Sequence, residues 1–221
     1  MDDILITLKN LDFTPFILSF KLAGITTFIL FFIALPVAWI LSQSRSKIKP
    51  IIESFISLPI VLPPSVLGFY LLTVFDGTAL NFSFIGLVIA SCIYSLPFMT
   101  QPLQSGFESL NRSMIEASYI AGKSQLITLF KVVIPNTKPA ILTAIIITFA
   151  HTIGEFGVVL MIGGSIPNET KVASIAIYEM HDSMEYISAH IYSAIMLLIS
   201  FMVLLSVYIF NHKQKYFKEV S

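Results

Sequence analysis

The sequence contains little cysteine and little charge. Its single cysteine, Cys92, lies inside an apolar block, which excludes an intrachain disulfide framework. The four histidines show no ligand spacing, so no metal site is predicted. Charged residues make up 12% of the chain, whereas about a quarter of an ordinary soluble domain is charged. Hydrophobic residues make up 56%, and this excess is too large for the core of a soluble globular domain.

The apolar residues occur in blocks long enough to cross a membrane, since a span needs about 20 apolar residues in a row. Five spans are predicted, over residues 16–41, 51–75, 83–103, 139–162 and 189–210. The chain is therefore predicted to be an all-α, polytopic membrane protein with five transmembrane helices. The first residues lack a basic start and a small-residue cleavage site, so we expect no cleaved signal peptide.

Lysine and arginine are sorted to one side of the predicted membrane. Ten of the thirteen fall there: Arg45, Lys47, Lys49, Arg112, Lys123, Lys131, Lys138, Lys213, Lys215 and Lys218. The other side collects acidic residues: Asp2, Asp3, Asp12, Asp76, Glu169, Glu179, Asp182 and Glu185. Because cytoplasmic loops are enriched in lysine and arginine, we predict the N-terminus outside and the C-terminus in the cytoplasm.

A moderately polar island, residues 116–135 (EASYIAGKSQLITLFKVVIP), separates two of the apolar blocks. Glu116 and Ala117 favour a first helix, and Gly122 supplies a permissive backbone position after it. Apolar residues then recur at helical spacing: Leu126, Leu129, Phe130 and Val133. Such a helical hairpin at the cytoplasmic face is suited to insertion into another protein. The alternative interpretation is an ordinary amphipathic interfacial helix.

The spacing in this island resembles the EAA loop of ABC importer permeases, which reads EAA, three residues, G, nine residues, I, any residue, L, P. The matching positions are Glu116, Ala117, Ser118, Gly122, Val132, Ile134 and Pro135. Three of them are substitutions, with Ser118 for Ala, Val132 for Ile and Ile134 for Leu. The resemblance implies that residues 105–137 form a coupling loop whose helices dock in a cleft of a separate ATPase subunit.

Two further stretches narrow the resemblance to one group of ABC importer permeases. Residues 58–67 (LPIVLPPSVL) and 149–157 (FAHTIGEFG), the latter followed by 163–170, are similar to the permease subunit of molybdate ABC transporters. The likeness extends over nearly the whole chain. It implies a single transmembrane domain, residues 1–221, with the type I ABC importer permease fold. Sulfate permeases share part of these motifs but are usually longer, so sulfate and tungstate are alternative substrates.

One residue in these stretches departs from the molybdate permeases. His151 stands where that family is expected to have an arginine, and Thr152-Ile153 replaces Ser-Leu. This departure weakens any argument that a fixed positive charge at this position attracts an oxyanion.

The resemblance also implies partners and a location, the bacterial inner membrane. The partners are an ABC ATPase subunit that uses ATP and Mg, a periplasmic or lipid-anchored oxyanion-binding protein, a second copy of the chain, and membrane lipid. No nucleic acid and no cofactor bound by this chain are expected. The run Gly122-Lys123-Ser124 is similar to the end of a P-loop, but Ala117 stands where that motif needs glycine. The chain is therefore not expected to be an enzyme.

Other classes of function stay open from the residues alone. One is a channel or proton-coupled carrier that works without an ATPase and uses His151 and Glu155 as a relay. A weaker alternative is an assembly scaffold with no pathway.

Two sets of residues are candidates for the translocation pathway. In the second span, Pro63, Pro64, Ser65 and Gly68 lie where prolines and a glycine interrupt the helix. Broken backbone at membrane depth is tolerated where it packs in protein or lines a wet cavity, so this segment is a candidate wall. A proline kink that only shapes packing is the alternative.

The fourth span carries the second set, Thr148, His151, Thr152 and Glu155, at helical spacing. His151 and Glu155 form an i, i+4 pair, and ionisable residues at this depth are functional candidates by default. The alternative is that the two pair with each other or with a partner subunit and hold the bundle together. Beyond this span, Val172 to Met180 predicts a short amphipathic helix on the outer face, either a lid or a docking ledge.

Overall fold

The computed structural model describes residues 11–220, without the side chains of residue 207 and residues 210–220. The predicted outer charges Asp2 and Asp3 therefore lie outside the described residues. The described chain is helical, with α1 (Thr14–Gln43), α2 (Lys49–Val61), α3 (Pro64–Val74), α4 (Phe84–Glu108), α5 (Arg112–Ile120), α6 (Gln125–Thr128), α7 (Ile134–Asn136), α8 (Lys138–Gly154), α9 (Gly157–Gly163), α10 (Ala173–Asp182) and α11 (Tyr186–Val220). A π-helical turn, Leu129–Val133, joins α6 to α7. This confirms the predicted all-α class.

Within the described residues, three helices are long and apolar enough to cross a membrane: α1, α4 and the part of α11 from Tyr186 to Ser206. Two bent helix pairs raise the number to five if each pair counts as one span. The pairs are Lys49–Val61 with Pro64–Val74, bent by 107°, and Gln125–Asn136 with Lys138–Gly154, bent by 81°. The predicted first, third and fifth spans therefore each fall on one helix, whereas the second and fourth include a bend or a break.

The second span breaks at its paired prolines. A residue that precedes proline is disfavoured in the α region, and both Leu62 and Pro63 precede one. Both have extended backbone, with ψ of 132° and 134°. Pro64 can then begin α3, because the first position of a helix needs no amide donor. The expected interruption of this span is therefore present, and its physical cause is the consecutive prolines.

The fourth span ends earlier than predicted. Its helix, α8, stops at Gly154, and Glu155 is extended with φ of −67° and ψ of 135°. Phe156 lies outside the helical region as well, and α9 begins at Gly157. The expectation of one helix over 139–162 is therefore wrong, and so is the view of Glu155 as a helical residue. Glycines at 154 and 157 lower the helix propensity on both sides of this 155–156 break.

The described residues form three buried apolar clusters, and two of them contain residues of both α1 and α4. The hairpin cluster consists of Leu30, Ala34, Leu35, Ala38, Trp39, Met99, Leu103, Phe107, Ile115, Leu129, Val133, Ile141 and Ala144. The break cluster consists of Leu18, Leu22, Leu71, Phe75, Leu87, Val88, Ala90, Val158, Val159, Ile162, Val172 and Ile175. Because α1 and α4 contribute to both, these two long helices join the opposite ends of the molecule.

Candidate functional site

The hairpin, residues 112–136, is attached to the bundle by apolar side chains. Ile115 of α5 and Leu129 and Val133 of the π-helical turn are at most 5% exposed and belong to the hairpin cluster. The side chain of Asn111 accepts a hydrogen bond from the Ser113 amide at 3.1 Å and thereby begins α5. The hairpin therefore packs directly against α1, α4 and α8.

The turn of the hairpin depends on Gly122. Its φ is +74°, in the left-handed region that glycine enters without steric cost. Next to it the amide of Lys123 donates to the carbonyl of Ser118 at 3.1 Å. The hydroxyls of Ser118 and Thr128 are 2.9 Å apart and buried, so they join the two arms of the hairpin. The predicted glycine break is present, and Ser118 is a structural position of the motif.

The other predicted coupling residues differ in exposure. Glu116, Ala117, Gly122 and Pro135 are exposed, whereas Val132 and Ile134 are half-buried. The most exposed large apolar side chains of the hairpin are Ile120 at 89%, Leu126 at 68% and Phe130 at 62%. Exposed apolar side chains that cluster on a polar segment are typical of an interaction site. Ile120 was missed by sequence reasoning, although its position just before the Ala-Gly turn makes exposure at the helix end foreseeable.

A cleft of about 610 Å³ opens where α3, α4 and the 155–156 break meet. Its lining consists of Pro64, Ser65, Tyr94, Ala150, His151, Gly154, Glu155, Phe156 and Gly157. Four predicted pathway residues, Pro64, Ser65, His151 and Glu155, are therefore brought together, although the chain separates the two pairs by more than eighty positions. Of the remaining four, Pro63 is exposed beside the cleft lining. Gly68, Thr148 and Thr152 are buried in helix packing.

Two serines of α4 hold the polar residues of the fourth span. Ser91 Oγ donates to Glu155 Oε2 at 3.0 Å, and Ser95 Oγ lies 3.0 Å from His151 Nδ1. His151 and Glu155 thus each bond to α4 rather than to each other. Sequence reasoning missed both serines. The signal was available, because Ser91 and Ser95 are spaced i, i+4 and match the spacing of His151 and Glu155.

The donor and the acceptor can be assigned in each hydrogen bond around Ser95. Thr152 Oγ1 donates to the carbonyl of Thr148 at 2.9 Å, so its only hydrogen is used. Ser95 Oγ, 3.1 Å from Thr152 Oγ1, must then be the donor in that contact. Its oxygen is left to accept from Nδ1–H of His151. The His151 ring also stacks on Phe98, with centroids 3.7 Å apart, so its orientation is set by α4.

Glu155 is a buried cleft residue with one carboxyl oxygen that has no partner in the described chain. Its side chain is 5% exposed, and among residues 11–220 no donor lies within hydrogen-bond distance of Oε1. Its other oxygen has Ser91, and its backbone carbonyl accepts from Ser174 Oγ at 2.7 Å. A buried polar atom without a partner is costly and calls for an explanation. Here that atom belongs to a residue that lines the cleft.

Close backbone contacts fix α3 against α9 beside the cleft. A Cβ added to Gly157 would lie 2.6 Å from Cβ of Pro64, and one added to Gly68 would lie 2.7 Å from Cβ of Met161. Only glycine permits these approaches. The half-helices that follow the two breaks, α3 and α9, are therefore packed directly together.

The model of one protein family matches residues 31–216 of this chain. That family is described as the binding-protein-dependent transport system inner membrane component. Since the match spans well over half of the sequence, the chain belongs to this family. It is therefore a membrane component of a transport system, as the arrangement of hairpin and cleft suggests.

Individual relatives agree with this assignment. The molybdenum transport system permease protein ModB of Azotobacter vinelandii is 43% identical over 214 residues, or 91% of this chain and 95% of the relative. The sulfate transport system permease protein CysT of Synechocystis is 30% identical over 181 residues, or 76% of this chain and 63% of the relative. The crystal structure of a bacterial ABC transporter involved in alginate import has a TM-score of 0.77 at 14% identity, covering 96% of this chain and 83% of that chain. That likeness concerns the fold, and it confirms the predicted ABC importer permease fold.

Proposed function

We propose that the chain is the membrane-spanning permease subunit of an ATP-driven importer that carries molybdate across the inner membrane. The observation that carries the proposal is the continuous path from an exposed, apolar hairpin to a polar cleft. The choice of cargo is supported by 43% identity to a molybdenum permease, against 30% to a sulfate permease. Sulfate and tungstate are the alternative cargoes, since selectivity would reside largely in the protein that delivers the anion.

The path from hairpin to cleft is short and stiff. Segment Gln125–Asn136 leads into α8 through a bend of 81° at Thr137. Helix α8 has 17 residues, so its length is about 25 Å. It ends at Gly154, directly beside the cleft. A displacement of the hairpin is therefore carried along α8 to the 155–156 break, and α8 acts as the lever of the subunit.

Alternating access requires more than one such subunit, because a single cleft at the surface of one bundle does not enclose a pathway. A second copy related by a two-fold axis would bring two clefts together, and this is the commonest symmetry of homo-oligomers. Each copy would contribute Ser65, His151 and Glu155 to the shared wall. The hairpins would face the cytoplasm, with the N-terminus outside.

Energy would enter from outside the chain. An ABC ATPase subunit would receive Ile120, Leu126 and Phe130 in its docking cleft and would hydrolyse ATP with Mg. A soluble or lipid-anchored protein would deliver the oxyanion to the opposite face. A ligand shifts such an equilibrium only through its different affinities for the two states, so ATP must bind better when the hairpins are close together.

A charge reversal on the hairpin tests the proposal. The Glu116→Lys variant, purified with its ATPase and reconstituted in liposomes, should lose at least about 90% of ATP-driven molybdate uptake, because a charge-assisted contact is worth about 1.5–3 kcal/mol. ATP hydrolysis should no longer respond to cargo delivery. The control is Asp76→Lys, the same reversal at an exposed residue in the turn after α3.

Two outcomes would contradict the proposal. One is normal coupled uptake by Glu116→Lys. The other is anion transport by the purified chain without any ATPase, which would favour a channel or carrier that uses His151 and Glu155. Competition by sulfate and tungstate in the same assay ranks the three anions.

A further inference from the structure

Helix α10 lies at the end of the bundle opposite the hairpin and packs there against α1, α9 and α11. The amide of Ala173 donates to Ser19 Oγ of α1 at 2.9 Å. Val172 and Ile175 are 3% and 0% exposed and belong to the break cluster together with Val158 of α9. The expected helix is therefore present, and its first residues pack against those that surround the 155–156 break.

Two direct contacts join α10 to the break itself. Ser174 Oγ donates to the carbonyl of Glu155 at 2.7 Å. The ring of Tyr178, one turn further along α10, lies 5.2 Å from the ring of Phe156. Each residue of the break is thus contacted by a different side chain of the same helix.

The bond to Ser174 meets a specific need of the break. Where a helix ends, its last carbonyls lose their intrahelical partners and need other donors. Glu155 and the carbonyl it carries lie just beyond the end of α8, in a buried position. The Glu155 carboxyl has only Ser91 as a partner within the described chain. Ser91 therefore orients the carboxyl from α4, while Ser174 holds the backbone that carries it.

We propose that Ser174 and Tyr178 are positioning residues for the pathway, and that α10 sets the course of the backbone at the 155–156 break and thereby the width of the cleft. The inference rests on the proposed function, in which this cleft is the pathway wall. Helix α10 is then neither a lid over the cleft nor a passive ledge. It contacts the break from the side opposite to α8 and holds residues 155 and 156 in place.

A cysteine reporter in the cleft tests the inference in native membranes. The parent carries Cys92→Ser, to remove the natural thiol, and Ser65→Cys, to place a reporter in the cleft lining. The measurement is the rate of labelling by a small water-soluble maleimide. Ser174→Ala should change that rate by about threefold to tenfold, the range that corresponds to the loss of one hydrogen bond.

Matched variants separate positioning from general damage. Ser174→Thr keeps the hydroxyl and should restore the parental rate, and Tyr178→Leu should change the rate in the same direction as Ser174→Ala. Ser183→Ala, at an exposed serine just beyond α10, should leave the rate unaltered. A purely structural role would lower the amount of folded protein but leave the labelling rate of that protein unchanged.

The outcomes are distinguishable from those of the transport assay. Equal labelling rates with and without the Ser174 hydroxyl would overturn the inference while leaving the proposed function intact. Absence of labelling at position 65 in every variant would mean a dry cleft and would overturn both. A response to Ser174→Ala combined with normal uptake by Glu116→Lys would support α10 as a positioning element and refute coupling through the hairpin.

Discussion

Both the hairpin cluster and the break cluster are closely packed, but the groups that surround them differ. The first depends on large side chains, such as Trp39 and Phe107, whose rings meet edge to face with centroids 6.0 Å apart. Glycines allow close approach beside both clusters, at Gly106 against Ala140 beside the first and at Gly68 and Gly157 beside the second. Beside the second, however, a carboxyl oxygen has no partner in the described chain. Large interlocking side chains transmit strain, whereas an unsatisfied group at a backbone break favours rearrangement. The comparison leads us to predict that the cleft end rearranges more readily than the hairpin end.

The largest effect is expected from Phe107→Ala in the hairpin cluster. Phe107 is 1% exposed, and truncation of a buried phenylalanine costs about 3–5 kcal/mol in soluble proteins. The share of this cost that comes from lost van der Waals contacts also applies to helices packed in lipid. Unfolding in mixed micelles can be followed by fluorescence of Trp39, the single tryptophan of the chain. Phe55→Ala, at a side chain that is 72% exposed, is the control. Equal losses in the two variants would refute the view of a rigid, interlocked cluster.

A smaller effect is expected from Gly157→Ala at the cleft end. The added Cβ would lie 2.6 Å from a carbon of the rigid Pro64 ring, so α3 or α9 must shift. Overpacking of this kind costs about 1–3 kcal/mol. At Gly154 a Cβ meets nothing within 4 Å, and alanine there should change the free energy of unfolding by less than about 0.5 kcal/mol. If both variants unfold alike, close packing of α3 on α9 is not what shapes the cleft.

Gly122→Ala probes the backbone of the hairpin rather than its packing. A Cβ at this position meets nothing within 4 Å, but φ is +74°, which costs a non-glycine residue about 1–2 kcal/mol. The turn should open more often, and trypsin should cut faster after Lys123. Gly24→Ala is the control, because it lies in ordinary helix and also meets nothing within 4 Å. Unchanged cleavage would show that the turn tolerates other residues.

The smallest effect is expected from Glu108→Gln. The Lys49 ammonium lies 2.8 Å from the Glu108 carboxylate, whose side chain is 42% exposed. Exposed ion pairs contribute about 0–1 kcal/mol and are screened by salt. The variant should lose at most that much stability at low ionic strength and nothing measurable at high ionic strength. A larger, salt-independent loss would mean that polar contacts, and not apolar packing alone, hold the hairpin end rigid.

The features that sequence predicted well are those with a local cause. The interruption of the second span follows from the steric restriction that each proline places on the residue before it. The hairpin turn follows from the left-handed conformation at Gly122, and the all-helical class follows from apolar blocks of membrane length. Each of these features is determined by a few neighbouring residues in the sequence.

The features that sequence missed depend on contacts between distant residues. Ser91 and Glu155 are 64 positions apart, and Ser174 and Glu155 are 19 apart. Helical spacing placed His151 and Glu155 together on one face, but α8 ended at Gly154 and each side chain found its own serine on α4. The serines on α4, Ser91 and Ser95, have the same i, i+4 spacing, which could have marked them as candidates. Which residues they bond, however, depends on how α4 packs against α8.

By itself, the amino-acid sequence determined that the chain is a bundle of apolar helices with a polar hairpin, a proline break and a glycine turn. These follow from hydropathy and from backbone sterics, which act within a few residues. Only the tertiary structure decided which polar groups border the cleft, which of them lacks a partner, and that α10 reaches the break through Ser174. Such facts depend on where separate helices meet, because a hydrogen bond is set by distance in space and not by position along the chain.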